Sequence, residues 1–123
     1  MNALMDDLNF MRFLLEGNAI QVHYGNQFQK NIKKVLRNAI AAKKLPSILR
    51  ELETTGRSTV GGTHTIGNAP NFRSDLTGNV ETNWVVVPVS MKVDIRIMYK
   101  FFPELNAVEI RGVGRADEIG YKH

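Results

Sequence analysis

The stretch KVDIRIMYKF, residues 92–101, places a charged side chain where it could bind a ligand, because Arg96 lies at the centre of an alternating apolar pattern. Alternation with a period of two predicts a β-strand. Arg96 then shares one face of that strand with Asp94, Met98 and Lys100, while the opposite face is apolar. A guanidinium in this position could bind an anion such as a phosphate, or it could pair with a neighbouring carboxylate.

A second predicted strand, residues 107–113, determines what lies beside Arg96. Its predicted core-side residues are Val108, Ile110 and Gly112. The alternation puts Glu109 and Arg111 on the same face as Arg96. Pairs of opposite charge are common across exposed sheet faces. The residue pattern alone therefore favours an ion pair of Arg96 with Asp94 or Glu109 over an anion site.

Positive charge is concentrated in the middle of the chain, although the net charge of the 123 residues is only +4. Residues 26–73 hold nine Lys or Arg against two acids, a local +7, whereas residues 1–17 sum to −2 and residues 74–123 to −1. A concentrated positive patch attracts polyanions, of which nucleic acid is the commonest, but a solvated helix face can have the same composition. Both interpretations stay open on the sequence alone.

Helical periodicity places most of this charge on helices. Residues 26–39 carry an apolar stripe flanked by cations, which predicts a basic amphipathic helix. The basic residues beside the stripe are Lys30, Lys33, Lys34 and Arg37. A second helix is predicted to have Pro46 near its first turn and Gly56 just past its end. Residues 1–17 predict an extra short helix with an acidic exposed face.

The remaining pattern predicts strands and one long loop. Residues 19–24 alternate as a first strand, and residues 57–73, rich in Gly, Thr and Asn, predict an exposed loop. Three further strands are predicted at 84–89, 92–101 and 107–113. The predicted fold class is α+β, with an antiparallel sheet of about four strands, helices packed on one face and the other face open. We expect a single domain, residues 1–123, to which the helix at 1–17 is an addition.

Composition disfavours several classes of protein. The chain has no cysteine, which removes disulfides and thiolate metal sites, and its three histidines are scattered. No apolar run is long enough to cross a bilayer, and the N-terminal residues lack the basic start of a signal peptide. We therefore expect a cytoplasmic protein without a metal, a cofactor or a membrane association.

Four motifs in the chain resemble, in order, the RelE/ParE toxin superfamily, and the branch that includes YafQ looks most similar. They are IQVHYGNQFQKNIKKVLR at 20–37, SDLTGN at 74–79, DIRIMYKF at 94–101 and EIRGVGRADEIGY at 109–121. The resemblance implies a compact RelE-like domain that cleaves mRNA, in many members on the ribosome, and that has a cognate antitoxin protein. In the ParE branch it implies a gyrase inhibitor without nuclease activity.

The resemblance also assigns residues by position. Arg96 corresponds to the arginine of the family's Arg-x-x-Tyr strand, Arg115 to a basic step after the last strand, and Tyr121 to the terminal aromatic residue. Ala116 stands where a second basic residue is usual, and no histidine precedes the Leu76-x-Gly turn.

Cleavage of RNA by its own 2′-hydroxyl needs a proton acceptor, cations that stabilise the phosphate, and an acid for the leaving 5′-oxygen. The predicted catalytic residues are Arg96 and Arg115 for the phosphate, Tyr121 for stacking or proton donation, and His123 for acid–base chemistry. The predicted substrate-binding residues are Lys30, Lys33, Lys34, Arg37, His64, Arg73 and Arg111. A non-enzymatic binder of the same fold is the alternative, in which these side chains are structural or bind a partner.

Overall fold

A computed structural model of the chain describes residues 19–60, 63–74, 77–115 and 117–119. Its helices and strands, in chain order, are β1 (Gln21–Tyr24), α1 (Asn26–Val35), α2 (Ala39–Thr55), β2 (Thr63–Ile66), β3 (Thr82–Pro88), β4 (Asp94–Phe102) and β5 (Ala107–Gly114). The helix predicted at 1–17 lies outside the described residues. Neither α1 nor α2 is long and apolar enough to cross a membrane, and the described residues contain no other α-helix.

The five strands form one mixed sheet in the order β1-β5-β4-β3-β2. The α+β class is confirmed, and β3, β4 and β5 form the predicted antiparallel meander. The sheet is mixed, so the prediction that it is antiparallel is wrong. β1 pairs with β5 in parallel, with Gln21 opposite Ala107, and the intervening helices and strands supply the long connection that a parallel pair needs. The additional strand, β2, lies within the predicted loop and pairs with β3.

Local capping explains where the helices begin and end. The side chain of Asn38 accepts a hydrogen bond from the backbone N–H of Ala41 at 2.9 Å, so α2 begins at Ala39. Pro46 therefore lies inside α2, and its predicted place near the first turn is wrong. Gly56 lies just past the end of α2, as predicted, and it adopts the left-handed conformation with φ of 74°.

The helices pack on one face of the sheet, as predicted. Alternate residues of β4, together with the residue just before it, lie in this helix-side core as expected. They are Val93, Ile95, Ile97, Tyr99 and Phe101. The opposite face is less open than predicted, because Ala69, Phe72 and Ile119 pack with Trp84 and Met98 in a second cluster. Polar residues on that face of β4 are consequently partly enclosed.

A β-bulge changes which residues of β5 face the helices. The register passes from Met98 opposite Gly112 to Tyr99 opposite Ile110, so Arg111 has no partner position in β4. Ile110 and Val113 therefore both lie in the helix-side core although they are three positions apart. Val113, rather than the predicted Gly112, takes the third core-side position.

Candidate functional site

Arg96 is half-buried on the sheet face opposite the helices, between Val86 of β3 and Gly114 of β5. Its Nε and Nη1 atoms are buried and donate to no acceptor among the described residues. Neither Asp94 nor Glu109 accepts a hydrogen bond from these two atoms. Glu109 lies opposite Lys100 and forms its ion pair with Arg111. Buried donors without acceptors are costly, and neither of the ion pairs expected from the sequence satisfies them.

The indole of Trp84 contacts both Arg96 and His64. Cζ of Arg96 lies 5.7 Å from the indole centroid, and the His64 ring stacks on the indole at 5.0 Å with an interplanar angle of 26°. Trp84 is 2% exposed and packs in the second cluster, with Phe72 and Met98. The cation–π contact orients the guanidinium without using its N–H donors. Two predicted functional side chains thus flank one aromatic residue.

Arg111, which was predicted to contact phosphate, is engaged inside the protein. Its Nη2 and Nε donate to Glu109 Oε1 at 3.0 and 3.3 Å, and Nη1 donates to Thr82 Oγ1 at 2.7 Å and to the Glu81 carbonyl at 2.9 Å. Arg111 and Glu109 are only 5% and 6% exposed. Burial lowers the pKa of Arg111, and Glu109 opposes that shift. This geometry favours a structural role for Arg111.

Arg115 lies at the same end of the sheet as Arg96, since it directly follows Gly114, the register partner of Arg96. It lines a cleft of about 370 Å³ with residues of the helix side such as Val35 and Ile95. Arg115 Nε lies 3.0 Å from Glu118 Oε1, and Lys34 Nζ lies 2.8 Å from Glu118 Oε2. The structure therefore places Arg96 and Arg115 on different faces, and brings Arg115 together with Lys34.

The other predicted substrate-binding cations lie on the surface. Lys30, Lys33 and Lys34 are exposed on α1, and Arg37 is exposed just beyond its end. Lys33 and Lys34 occupy the last turn, where the helix dipole favours positive charge. Arg73 is exposed after the Pro70–Phe72 turn. Their exposure leaves these charges accessible to a polyanion, although Lys34 already has Glu118 as a partner.

Tyr121 and His123, two of the predicted catalytic residues, lie outside the described residues. Ile119, which precedes Tyr121 by two positions, is buried in the cluster that contains Trp84. Sequence reasoning missed Glu118. Its spacing of three residues from Arg115 was the available signal, but a single acid near a turn has no specific motif. Within the described ranges, no group of three His, Asp or Glu could hold a metal ion.

The arrangement offers two cationic positions at one end of the sheet, Arg96 on one face and the Lys34–Arg115 pair on the other. Such positions can bind phosphate groups and stabilise negative charge on them. Comparison of the chain with protein-family models, with curated proteins and with solved structures finds no significant match.

Proposed function

We propose that the protein is a RelE-like toxin, a metal-independent endoribonuclease that cleaves mRNA in the cytoplasm and that a cognate antitoxin protein neutralises. The observation that carries the proposal is the half-buried guanidinium of Arg96, two of whose donors have no acceptor in the described part of the chain. The oxygens of a tetrahedral phosphate group are strong acceptors for the N–H donors of a planar guanidinium.

The order of elements supports the same proposal. In the structure, β1 leads into a helical hairpin, and the antiparallel strands β3, β4 and β5 follow. This order agrees with the order of the motifs that resemble the RelE/ParE superfamily. Arg96 occupies the centre of that meander, between β3 and β5.

In the proposed reaction the 2′-oxygen of one nucleotide attacks the adjacent phosphorus, and the bond from phosphorus to the 5′-oxygen of the next nucleotide breaks. The 2′-proton passes to a general base and the 5′-oxygen receives a proton, which leaves a 2′,3′-cyclic phosphate and a 5′-hydroxyl. Arg96 stabilises the charge on the non-bridging phosphate oxygens. Tyr121 and His123 are the candidates for proton transfer, since they follow Ile119 of the adjacent cluster by two and four positions.

The basic helix α1 has a different role in the proposal. Its exposed cations, Lys30 and Lys33 among them, attract the RNA backbone and hold it without reading its sequence. Arg115 binds a phosphate next to the scissile one, because it lies at the same end of the sheet as Arg96 but on the helix side.

A cleavage assay on a labelled oligoribonucleotide in the presence of EDTA tests the proposal. We expect discrete products that end in a 2′,3′-cyclic phosphate, and we expect the same oligonucleotide with a 2′-deoxy sugar at the cleaved position to resist. In cells, induced expression should arrest growth and produce new 5′ ends in primer extension on mRNA. RNA that stays intact in both assays would contradict the nuclease function.

A non-enzymatic toxin or binding module of the same fold is the second candidate. The observation that favours it is that no described acid or base lies within hydrogen-bonding distance of Arg96 Nε or Nη1. A gyrase inhibitor would leave RNA intact while blocking DNA supercoiling. A binder of RNA or of a protein partner would neither cleave RNA nor block supercoiling.

A further inference from the structure

The carboxylate of Glu118 lies between two cations of the proposed RNA-binding surface. Its Oε1 is 3.0 Å from Arg115 Nε and its Oε2 is 2.8 Å from Lys34 Nζ. The Glu118 side chain is 15% exposed, whereas Lys34 and Arg115 are 63% and 48% exposed. An anion from solvent can therefore reach both cations, but Glu118 already occupies the position between them.

The charges of Lys34 and Arg115 hold the Glu118 carboxylate between them. Its Oε2 receives no well-directed hydrogen bond among the described residues, so its contact with Lys34 is an ion pair defined by distance. The Lys34 ammonium, with Arg115 adding to the effect, lowers the pKa of Glu118 and keeps it charged at neutral pH.

The backbone beneath Glu118 is anchored, so the side chain is the part that can move. The backbone N–H groups of Glu118 and Ile119 both donate to the Arg115 carbonyl, at 3.0 and 3.1 Å. Ile119 is 5% exposed and packs in the cluster with Phe72 and Trp84. Rotation of the Glu118 side chain would remove its contacts with Lys34 and Arg115 without unfolding this turn, and Arg115 would keep its contact with Asp117 at 3.3 Å.

The space beside Glu118 suits a ligand with both charged and apolar parts. The cleft of about 370 Å³ has Lys34, Asn38, Ser90 and Arg115 among its polar lining residues. Its apolar lining consists of Val35, Val89, Val93 and Ile95. A phosphate could bind to the cations while a sugar or base rests on the apolar side.

We propose that Glu118 occupies the place of a substrate phosphate between Lys34 and Arg115, so that the cleft accepts a phosphodiester group only after the Glu118 side chain has turned away. In naming an RNA phosphate as the natural ligand, this inference rests on the proposed function. Glu118 then weakens binding of every anion that lacks enough charge to displace it, and favours a polyanion that binds several cations at once.

The test is the affinity of purified Glu118→Gln for inorganic pyrophosphate, measured by calorimetry. Gln keeps the shape of the side chain and removes its charge, so we expect pyrophosphate to bind about tenfold more tightly or better than to the wild type. Asp117→Asn is the matched control, because it removes the same charge from an exposed residue whose ion pair in the described part of the chain is with Arg115, at 3.3 Å. We expect this control to gain much less.

Two further variants test whether the gain in pyrophosphate affinity comes from the loss of the Glu118 charge and depends on Lys34. Glu118→Ala should gain affinity as Glu118→Gln does, which guards against a new contact made by the amide. Lys34→Gln combined with Glu118→Gln should lose the gain. Glu118→Gln that binds pyrophosphate no more tightly than Asp117→Asn, or more weakly than the wild type, would overturn the inference.

Cleavage of RNA by the same proteins separates this inference from the proposed function. A gain in pyrophosphate affinity without cleavage by either protein would keep the role of Glu118 and reject the nuclease. Cleavage by the wild type without any gain in Glu118→Gln would keep the nuclease and reject the role of Glu118.

Discussion

The guanidinium carbon of Arg96 lies 5.7 Å from the centroid of the Trp84 indole, and two of the guanidinium nitrogens are buried without an acceptor in the described part of the chain. The indole fixes the orientation of the guanidinium but satisfies none of its N–H donors. Arg111 of the next strand shows the opposite arrangement, since Glu109, Thr82 and a carbonyl take up its donors. The donors of Arg111 are thus satisfied within the protein, whereas two nitrogens of Arg96 have no acceptor among the described residues.

Replacement of Lys30, Lys33, Lys34 and Arg37 by Gln should weaken RNA binding across all sequences. It should also flatten the dependence of affinity on salt, because each lost phosphate contact removes roughly one released counterion. Titrations of a labelled oligoribonucleotide at several salt concentrations measure the slope. A control variant with Lys43→Gln and Arg50→Gln changes exposed cations of α2 instead. An unchanged slope in the α1 variant would mean that this helix is merely solvated.

Removal of either partner of the buried Arg111–Glu109 ion pair should destabilise the folded protein. Arg111→Met leaves the Glu109 carboxylate buried without its cation, and we expect a loss of about 3–5 kcal/mol in the free energy of unfolding. Arg111→Met combined with Glu109→Leu should be less destabilised than Arg111→Met alone, since no charge is left unpaired. Urea unfolding of the variants measures both effects. A double variant at least as unstable as the single one would contradict this account.

Replacement of Gly56, which directly follows α2, by a residue with a side chain should destabilise the protein. The φ of Gly56 is 74°, and a Cβ there would lie 2.2 Å from Cδ1 of Phe101. Gly56→Ala should therefore lower the free energy of unfolding by more than about 1 kcal/mol. Gly67→Ala is the matched control, since a Cβ at Gly67 meets no atom within 4 Å. Equal urea midpoints for the two variants would contradict the prediction.

The contribution of Glu118 to stability should depend on pH. Contact with Lys34 lowers the pKa of Glu118 in the folded state, so its charged form adds stability above the unfolded-state pKa of about 4.3, and this stability is lost as the pH falls through the lower folded-state pKa. The described charged side chains around it are Lys34, Arg115 and Asp117.

Glu118→Gln should consequently have a lower urea midpoint than the wild type at pH 7, and the difference should vanish at strongly acidic pH. Asp117→Asn, at an exposed position, should show a smaller difference at pH 7. A difference between Glu118→Gln and the wild type that persists when the carboxyl is protonated would point to packing rather than charge.

The parts of the fold that the sequence predicted are those with strong local signals. The alternation in β4 and the end of α2 at Gly56 follow from short-range chemistry, and both predictions are confirmed. The parallel pairing of β1 with β5 depends on contacts between distant residues, and no local pattern encodes it. The strand at Thr63–Ile66 is short and polar, so composition indicated a loop.

In the candidate site, too, local sequence patterns predicted some positions, whereas contacts between distant residues determined the others. Alternation correctly put Arg96 and Met98 on the face opposite the helices, but the bulge at Arg111 shifted the register beyond that point. Glu109 therefore lies opposite Lys100 and bonds to Arg111, and the predicted pairing with Arg96 is wrong. The position of Glu118 between Lys34 and Arg115 depends on the packing of the segment after β5 against α1, which single-sequence periodicity does not report.

Arg96 is proposed to bind the scissile phosphate, and the cleavage rate of purified Arg96→Ala, measured together with its unfolding in urea, decides whether it does. We predict a loss of cleavage on the order of 10² or more, as expected for removal of one preorganised charge stabiliser. The free energy of unfolding in urea should stay within about 1 kcal/mol of the wild type, because Arg96 Nε and Nη1 have no acceptor among the described residues. Arg50→Ala, at an exposed position on α2, should leave both quantities unchanged. A folded Arg96→Ala protein that cleaves RNA at the wild-type rate would contradict the account.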